Sequence, residues 1–176
     1  MKSIINGKSS YNRTMVVSEL SSVYFKFLKS IEWDDALFLK GIREGRNKFL
    51  SNAYLNLCKG KHSIVNYHSL EADTIIKQYQ GRLPKGKLIF EHMVPKEKYI
   101  QTPCEEIIKS YTTDDQKLKE IRNLIDRYWY LASITVEQDK CLQYKKTMPE
   151  NWDKENIFAR YEVAGIRIIS NPIWNI

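Results

Sequence analysis

The first half of the chain is dominated by segments in which apolar residues recur every three or four positions, the spacing of one face of an α-helix. The clearest of these segments predicts a helix from Met15 to Leu28. Two further helices are predicted, one from Asp34 or Asp35 to a stop at Lys59-Gly60, and one from Ser69 to Tyr79, closed by Gly81 and Pro84. The polar residues from Lys2 to Arg13 predict a loose lead-in rather than a packed element.

Short runs of apolar and β-branched residues enter the pattern in the second half and predict strands. These strands are expected over Lys87 to Phe90, Tyr128 to Thr135 and Ile166 to Ile169. Helices are predicted over Pro103 to Ser110, over Asp114 to Asp126, and in a short segment that ends at Gly165. Thr135 and Gln138 have the spacing of a capping box, so another helix should begin there and run toward Pro149. The mixture of elements predicts an α+β fold.

Charge and cysteine content narrow the range of partners and of cellular locations. The 28 Lys and Arg residues exceed the 21 Asp and Glu residues and give a net charge of +7, which favours a polyanionic partner. Three widely spaced cysteines lack the paired spacing of a zinc finger and predict free thiols in a reducing cytoplasm. No apolar stretch is long enough for a signal peptide or a membrane span, so neither is expected.

Acidic side chains and a histidine lie at the junctions between the predicted strands and the segments that follow them. Glu91 and His92 leave the first strand directly before Pro95, and Glu137 and Asp139 lie in the first turns of the helix after the second strand. A carboxylate can hold a divalent cation against a phosphate, and a neutral imidazole can take a proton from an attacking water. The combination suits metal-assisted hydrolysis of a phosphodiester.

The segments "FEHMVPK" and "SITVEQDKCL" together resemble the HNH, or ββα-metal, endonuclease family. The resemblance covers roughly residues 85–146. It implies a ββα-metal nuclease core with a large helical insertion (region 85–176), preceded by a mainly helical N-terminal region (1–84) for recognition or dimerisation. His92 would be the general base and Glu91 a metal ligand.

The helix that should supply the family's last histidine carries carboxylates instead. Asp139 stands at the matching place, with Glu137 as the second choice, and either could bind Mg²⁺ or Mn²⁺. The family's middle asparagine has no clear counterpart, and the zinc-stapled subtype is excluded by the lack of paired cysteines. The residues predicted to contact nucleic acid are Lys96, Lys98, Lys140 and Arg160. Arg160 has an alternative as well, a surface ion pair with Asp153 or Glu162.

Each of these residues also has a purely structural interpretation. His92 would then be a strand-end histidine bonded to backbone, Glu91 the partner of a nearby lysine, and the carboxylates at 137 and 139 groups favoured by the helix dipole. His62 and His68 are expected to be surface or core polar groups.

The sequence therefore predicts a Mg²⁺- or Mn²⁺-dependent endonuclease that acts on DNA, of the restriction, defence or phage-encoded kind. A homodimer would suit an enzyme that cuts palindromic sites. Two alternatives stay open: a basic, helical nucleic-acid-binding protein without catalytic activity, and an interaction protein with no nucleic-acid role.

Overall fold

The computed structural model describes residues 2–5, 8–58, 62, 64–79 and 86–175. Three sequence predictions fall outside these residues: the helix stop at Lys59-Gly60, the helix closure by Gly81 and Pro84, and the boundary between residues 84 and 85. The strands are β1 (Lys2–Ile5), β2 (Lys8–Asn12), β3 (Tyr67–Ser69), β4 (Leu88–His92), β5 (Leu131–Thr135), β6 (Ile168–Ser170) and β7 (Trp174–Asn175). The helices are α1 (Arg13–Lys29), α2 (Ala36–Gly41), α3 (Arg43–Cys58), α4 (Leu70–Gln78), α5 (Thr102–Lys109), α6 (Asp114–Tyr128), α7 (Val136–Cys141) and α8 (Ala159–Val163).

The predicted α+β class is confirmed, with helices packed around a small mixed sheet of four strands in the order β4-β5-β3-β6. β4 pairs antiparallel with β5, which places His92 opposite Leu131 and Leu88 opposite Thr135. β3 runs parallel to β5 and antiparallel to β6. A strand from the predicted N-terminal region thus lies between two strands of the predicted C-terminal region.

Helix α1 organises the helical layer, because it packs against α3, α5 and α6. Its N-cap is Asn12, whose Oδ1 accepts the amide of Met15 at 3.1 Å. The side chains of Leu20, Tyr24 and Leu28 on its inner face are fully buried. None of the helices in the described residues has the length and apolar character needed to cross a membrane.

The prediction of a loose lead-in over residues 2–13 is wrong. β1 and β2 form an antiparallel pair there, and β2 adds β7 in parallel to complete a three-stranded sheet. Tyr11 of β2 stacks on Trp174 of β7, with the ring centroids 5.1 Å apart. Polar strands of this kind are held by backbone pairing with a segment that is remote in the sequence. The local hydrophobic pattern carries no signal of such pairing.

Two predicted helices are shorter in the structure than in the sequence pattern. The helix predicted from Asp34 or Asp35 toward Lys59-Gly60 does begin after an Asp35 cap, but it is interrupted at Ile42, between α2 and α3. The helix predicted to reach Pro149 ends at Cys141, because Leu142 turns to an extended conformation and is 3% exposed. Burying this leucine draws the following chain back toward the core.

Candidate active site at the end of β4

The ladder between β4 and β5 fixes the position of the Glu91-His92 pair. The pairing continues one residue past the strand, where Met93 donates its amide to the carbonyl of Tyr130 at 2.9 Å. Pro95 follows as a buried residue whose carbonyl accepts the amide of Tyr99 at 3.2 Å, and a π-helical turn over Glu97–Gln101 then leads into α5. The chain therefore turns sharply away from the sheet just after the two candidate residues.

A polar cavity of about 230 Å³ lies at this turn. Its walls come from four separate parts of the chain: α3, the end of β4, the segment that follows it, and the loop after α7. The lining residues are Asn47, Glu91, His92, Pro95, Lys96, Glu97, Gln101 and Lys145. Because Glu91 and His92 are consecutive in a strand, their side chains leave opposite faces, yet both reach this cavity at the strand end.

The His92 imidazole is held among aromatic rings. The ring of Trp129 packs edge-on at a centroid distance of 4.9 Å, and that of Phe90 does so at 6.1 Å. The hydroxyl of Ser51 on α3 lies 3.4 Å from Nε2. Burial lowers the pKa of His92 to about 3, and the positive charges of Lys96 and Arg160 act in the same direction. The imidazole is therefore neutral at neutral pH and has a nitrogen lone pair available.

Glu91 forms an ion pair with the buried Arg160 of α8. The guanidinium donates from Nη2 to Oε1 of Glu91 at 2.7 Å, and from Nη1 to the carbonyls of His92 at 2.9 Å and Met93 at 3.4 Å. Burial raises the pKa of the Glu91 carboxyl, while the positive charge of Arg160 opposes that increase. The arginine thus neutralises the carboxylate and also binds the backbone of the strand end.

This position corrects the sequence interpretation of Arg160. Its side chain is 2% exposed and bonds within the interior, so it is neither a surface partner of Asp153 or Glu162 nor placed to reach a phosphate. The local sequence "ARYEV" is typical of an exposed helix with scattered charges. The error arises because a buried arginine is recognised only through its partner, and this partner lies 69 residues away in the chain.

Asp139 approaches the same site from α7. The capping box predicted at Thr135 and Gln138 is present, with the Thr135 Oγ1 accepting the Gln138 amide at 3.2 Å. Asp139 accepts a hydrogen bond of 2.8 Å from Lys145, which itself lines the cavity. Its negative charge contributes to the raised pKa of Glu91, which puts the two carboxylates within electrostatic range. Glu137, by contrast, is exposed on α7.

The side chains fit a divalent cation only in part. Among the described residues, no group of three or more His, Cys, Asp and Glu side chains is arranged to hold a metal ion. Mg²⁺, however, commonly keeps several waters and binds one or two carboxylates together with substrate phosphates. The donor chemistry of Glu91 and Asp139 matches that requirement, although each carboxylate is already paired with a cation of the protein.

The lysines predicted to contact nucleic acid occupy different positions. Lys96 lines the cavity, where its ammonium donates to the carbonyl of Asn47 and burial lowers its pKa. Lys98 and Lys140 are exposed. Sequence reasoning missed the contributions of Asn47 and Gln101, since polar residues on helices carry no local signal of a shared cavity.

The other two histidines are polar groups of the structure away from this cavity. His68 is 4% exposed, and its Nε2 lies 3.1 Å from the carbonyl of His62. Nδ1 of His62 lies 2.8 Å from the Ser133 hydroxyl, and its ring packs edge-on against Phe90 at 6.4 Å. His62 and His92 therefore flank the same phenylalanine, but His92 is the one that lines the cavity.

Comparison with known proteins adds no relative from which a function could be transferred. No family model matches the sequence. No curated protein and no solved structure matches it either.

Proposed function

We propose that this protein is a divalent-metal-dependent endonuclease that hydrolyses phosphodiester bonds in DNA, with His92 as the general base. The observation that supports this proposal is the shared cavity, in which a neutral imidazole stands beside the Glu91 carboxylate and two lysines. The strands β4 and β5 pair antiparallel and α7 follows them directly, an order compatible with the HNH family that the sequence resembles.

Each side chain has a definite part in the proposed reaction. His92 would accept the proton of the attacking water, and a phosphodiester in the cavity would raise its low pKa by adding negative charge nearby. Lys96 would contact a phosphate oxygen through its ammonium. A divalent ion such as Mg²⁺ or Mn²⁺, held by Glu91 and Asp139, would supply charge neutralisation at the scissile phosphate.

A plasmid-cleavage assay tests the proposal. The purified protein should nick or linearise supercoiled DNA with Mg²⁺ or Mn²⁺, and His92→Ala should reduce the rate by at least about 100-fold, the range for loss of a general base. His62→Ala is the matched control, because His62 packs against the same Phe90 ring without lining the cavity. Labelled RNA in a parallel reaction decides between the two nucleic acids.

The outcome that contradicts the mechanism is cleavage by His92→Ala at the rate of the unmodified protein. A loss of cleavage that is equal in the two histidine variants would point to disturbed packing around Phe90 instead. Circular dichroism and thermal melting of each variant separate these cases, because an intact fold without cleavage is expected of His92→Ala alone.

A second candidate function is a basic nucleic-acid-binding protein without catalysis. The ion pair between Glu91 and the buried Arg160 favours it, since a carboxylate neutralised in this way has a structural role that needs no metal. With the net charge of +7, this candidate predicts DNA or RNA binding in which the logarithm of the binding constant falls linearly with the logarithm of the salt concentration. Such binding without cleavage under any divalent metal would establish it in place of the nuclease.

Within the proposed nuclease, region 1–84 would supply substrate recognition or a homodimer interface. The biological setting we propose is that of a restriction, defence or phage-encoded enzyme. Light scattering after size exclusion, with and without a DNA duplex, measures the oligomeric state directly. A two-fold dimer on DNA would fit cleavage of palindromic sites.

A further inference from the structure

Helix α2 is more apolar than its contacts within the chain require. Four of its six residues are apolar, yet none of the six is fully buried. Phe38 and Leu39 pack partly against the core, whereas Leu37 is 80% exposed. A short helix is marginally stable by itself, and a helix that is apolar on most sides is usually covered by protein on most sides. The exposed side of α2 is therefore suited to contact with another protein surface.

Positive charge accompanies the exposed leucine. Lys40 lies one turn after Leu37, on the same side of α2, and Arg43 opens α3. Both cations are exposed, and neither takes part in an ion pair within the part of the chain that the structure describes. The acidic N-cap Asp35 is at the opposite end of the helix. The exposed side of α2 thus presents an aliphatic side chain with a free cation beside it.

A groove of about 370 Å³ lies between α5 and α6. The fully buried residues of these two helices belong to the core, and the neighbouring Ile107 and Leu124 remain partly exposed. The groove is lined by Pro103, Glu106 and Ile107 of α5 and by Glu120, Asn123 and Leu124 of α6. Its lining therefore combines aliphatic side chains with one glutamate from each helix.

The charge of this groove is opposite to that of the chain. The protein has a net charge of +7, whereas both charged residues that line the groove are acidic. Glu106 and Glu120 are exposed, and among the described residues neither has an ion-pair partner. An aliphatic groove with two such carboxylates is complementary to an aliphatic side chain with a cation beside it. Leu37 with Lys40 is that combination.

We propose that this protein self-associates by inserting Leu37 of α2 into the α5–α6 groove of a second copy, where Lys40 faces Glu106 and Glu120. In a two-fold dimer each copy gives its α2 to the other, so that both grooves are filled. This inference deepens the homodimer of the proposed function by naming its surfaces, and it rests on no catalytic residue.

Sedimentation velocity of the full chain, without nucleic acid and over a series of protein concentrations, tests the contact. The unmodified protein should form a dimer whose fraction rises with concentration. Leu37→Asp should weaken dimerisation at least about tenfold, because it removes the aliphatic contact and adds a charge of the same sign as the groove. Met15→Asp is the matched control, since Met15 is another exposed apolar residue, near the start of α1, and its replacement should leave the dissociation constant unchanged.

Charge reversal identifies the two surfaces that meet. Lys40→Glu and Glu120→Lys should each weaken dimerisation about three- to tenfold, because a pair of opposite charges becomes a pair of like charges. The two substitutions combined in one chain should restore much of the affinity, since the reversed charges again attract across the interface. All the substituted residues are exposed, and circular dichroism checks that each variant keeps its fold.

The possible results separate this inference from the proposed function. A monomer at every concentration overturns it, even if the plasmid is still cleaved. A dimer that Leu37→Asp weakens no more than Met15→Asp also overturns it, as does a double charge variant with the summed loss of its two single variants. A loss confined to the α2 and groove variants, and reversed in the double charge variant, supports it whether or not DNA is cleaved.

Discussion

Arg160 donates a 2.7 Å hydrogen bond to Glu91 across 69 residues of sequence, and the same guanidinium binds the carbonyls of His92 and Met93. A short helix near the C-terminus thereby holds the end of an edge strand. The interaction places Glu91 and His92 in the cavity while neutralising the carboxylate. One buried arginine thus determines both the position and the charge of the candidate site.

Replacing Arg160 should destabilise the protein strongly. Arg160→Met leaves the Glu91 carboxylate without its counter-charge in a largely buried place, and removing one partner of a buried pair costs about 3–5 kcal/mol. Denaturant unfolding followed by circular dichroism measures the change in the free energy of unfolding. Arg167→Met, at an exposed arginine on the same chain segment, should change it by less than about 0.5 kcal/mol.

The double variant Arg160→Met with Glu91→Gln tests the cause of that loss. If the cost comes from an uncompensated carboxylate, neutralising Glu91 should recover part of the stability lost in Arg160→Met. A double variant with the summed loss of both single variants would show that the two side chains act independently.

The pH dependence of stability should change when Glu91 is neutralised. Its pKa in the folded protein is raised by burial, so its contribution to stability is fully present below the pKa of the unfolded state. That contribution is lost as the pH rises through the raised, folded-state pKa. Glu91→Gln should be less stable than the unmodified protein because Arg160 loses its charged partner. The variant should not, however, show the decrease in stability with rising pH that ionisation of Glu91 causes. Unfolding curves of both proteins between pH 4 and 7 give the difference, and parallel curves would contradict the expectation.

His92 should make the protein less stable as the pH falls, whereas Glu91 makes it less stable as the pH rises. Its pKa is about 3 in the folded protein and near 6.5 in the unfolded chain, so the unfolded state binds a proton that the folded state does not. Its contribution is fully present above pH 6.5 and is lost as the pH falls toward 3, at up to about 1.4 kcal/mol per pH unit. His92→Gln should lack this loss. A His92 ring that titrates near pH 6.5 by NMR would contradict the prediction.

The sequence predicted the elements whose signals are local. The helix that begins beside Met15, the helix start at Asp35, the helix start at Ser69 and the capping box at Thr135 all appear, because each depends on neighbouring residues. The presence of Glu91 and His92 at a strand end was also predicted from a short run. A strand followed by a proline is recognisable without tertiary information.

The wrong predictions concern residues whose structure depends on partners that are remote in the sequence. β2 gains its place by pairing with β7 near the other end of the chain, and Arg160 gains its role from Glu91. The helix after Thr135 ends early because Leu142 packs into the core. None of these outcomes follows from periodicity or propensity, since each is decided by a contact that forms only when the chain has folded.

The Gln138 side chain gives a last test, because it joins α7 to α4 as well as capping its own helix. Its Oε1 accepts the Thr135 amide at 3.0 Å and the Ser69 hydroxyl at 2.6 Å, and its Nε2 donates to Glu71 at 2.6 Å. Gln116 has the same position in the capping box of α6 with Thr113, on an exposed surface.

Gln138→Ala should therefore lower the free energy of unfolding by about 2–3 kcal/mol, since each lost hydrogen bond contributes about 1 kcal/mol. Gln116→Ala, which removes a cap alone, should cost about 0.5–1 kcal/mol. Because α7 carries Asp139, the first substitution should also weaken Mn²⁺ binding, and the second should leave it unchanged. Equal losses of stability in the two variants would show that the bonds to α4 contribute nothing, and α7 would then be positioned by its packing on β4 and β5 alone.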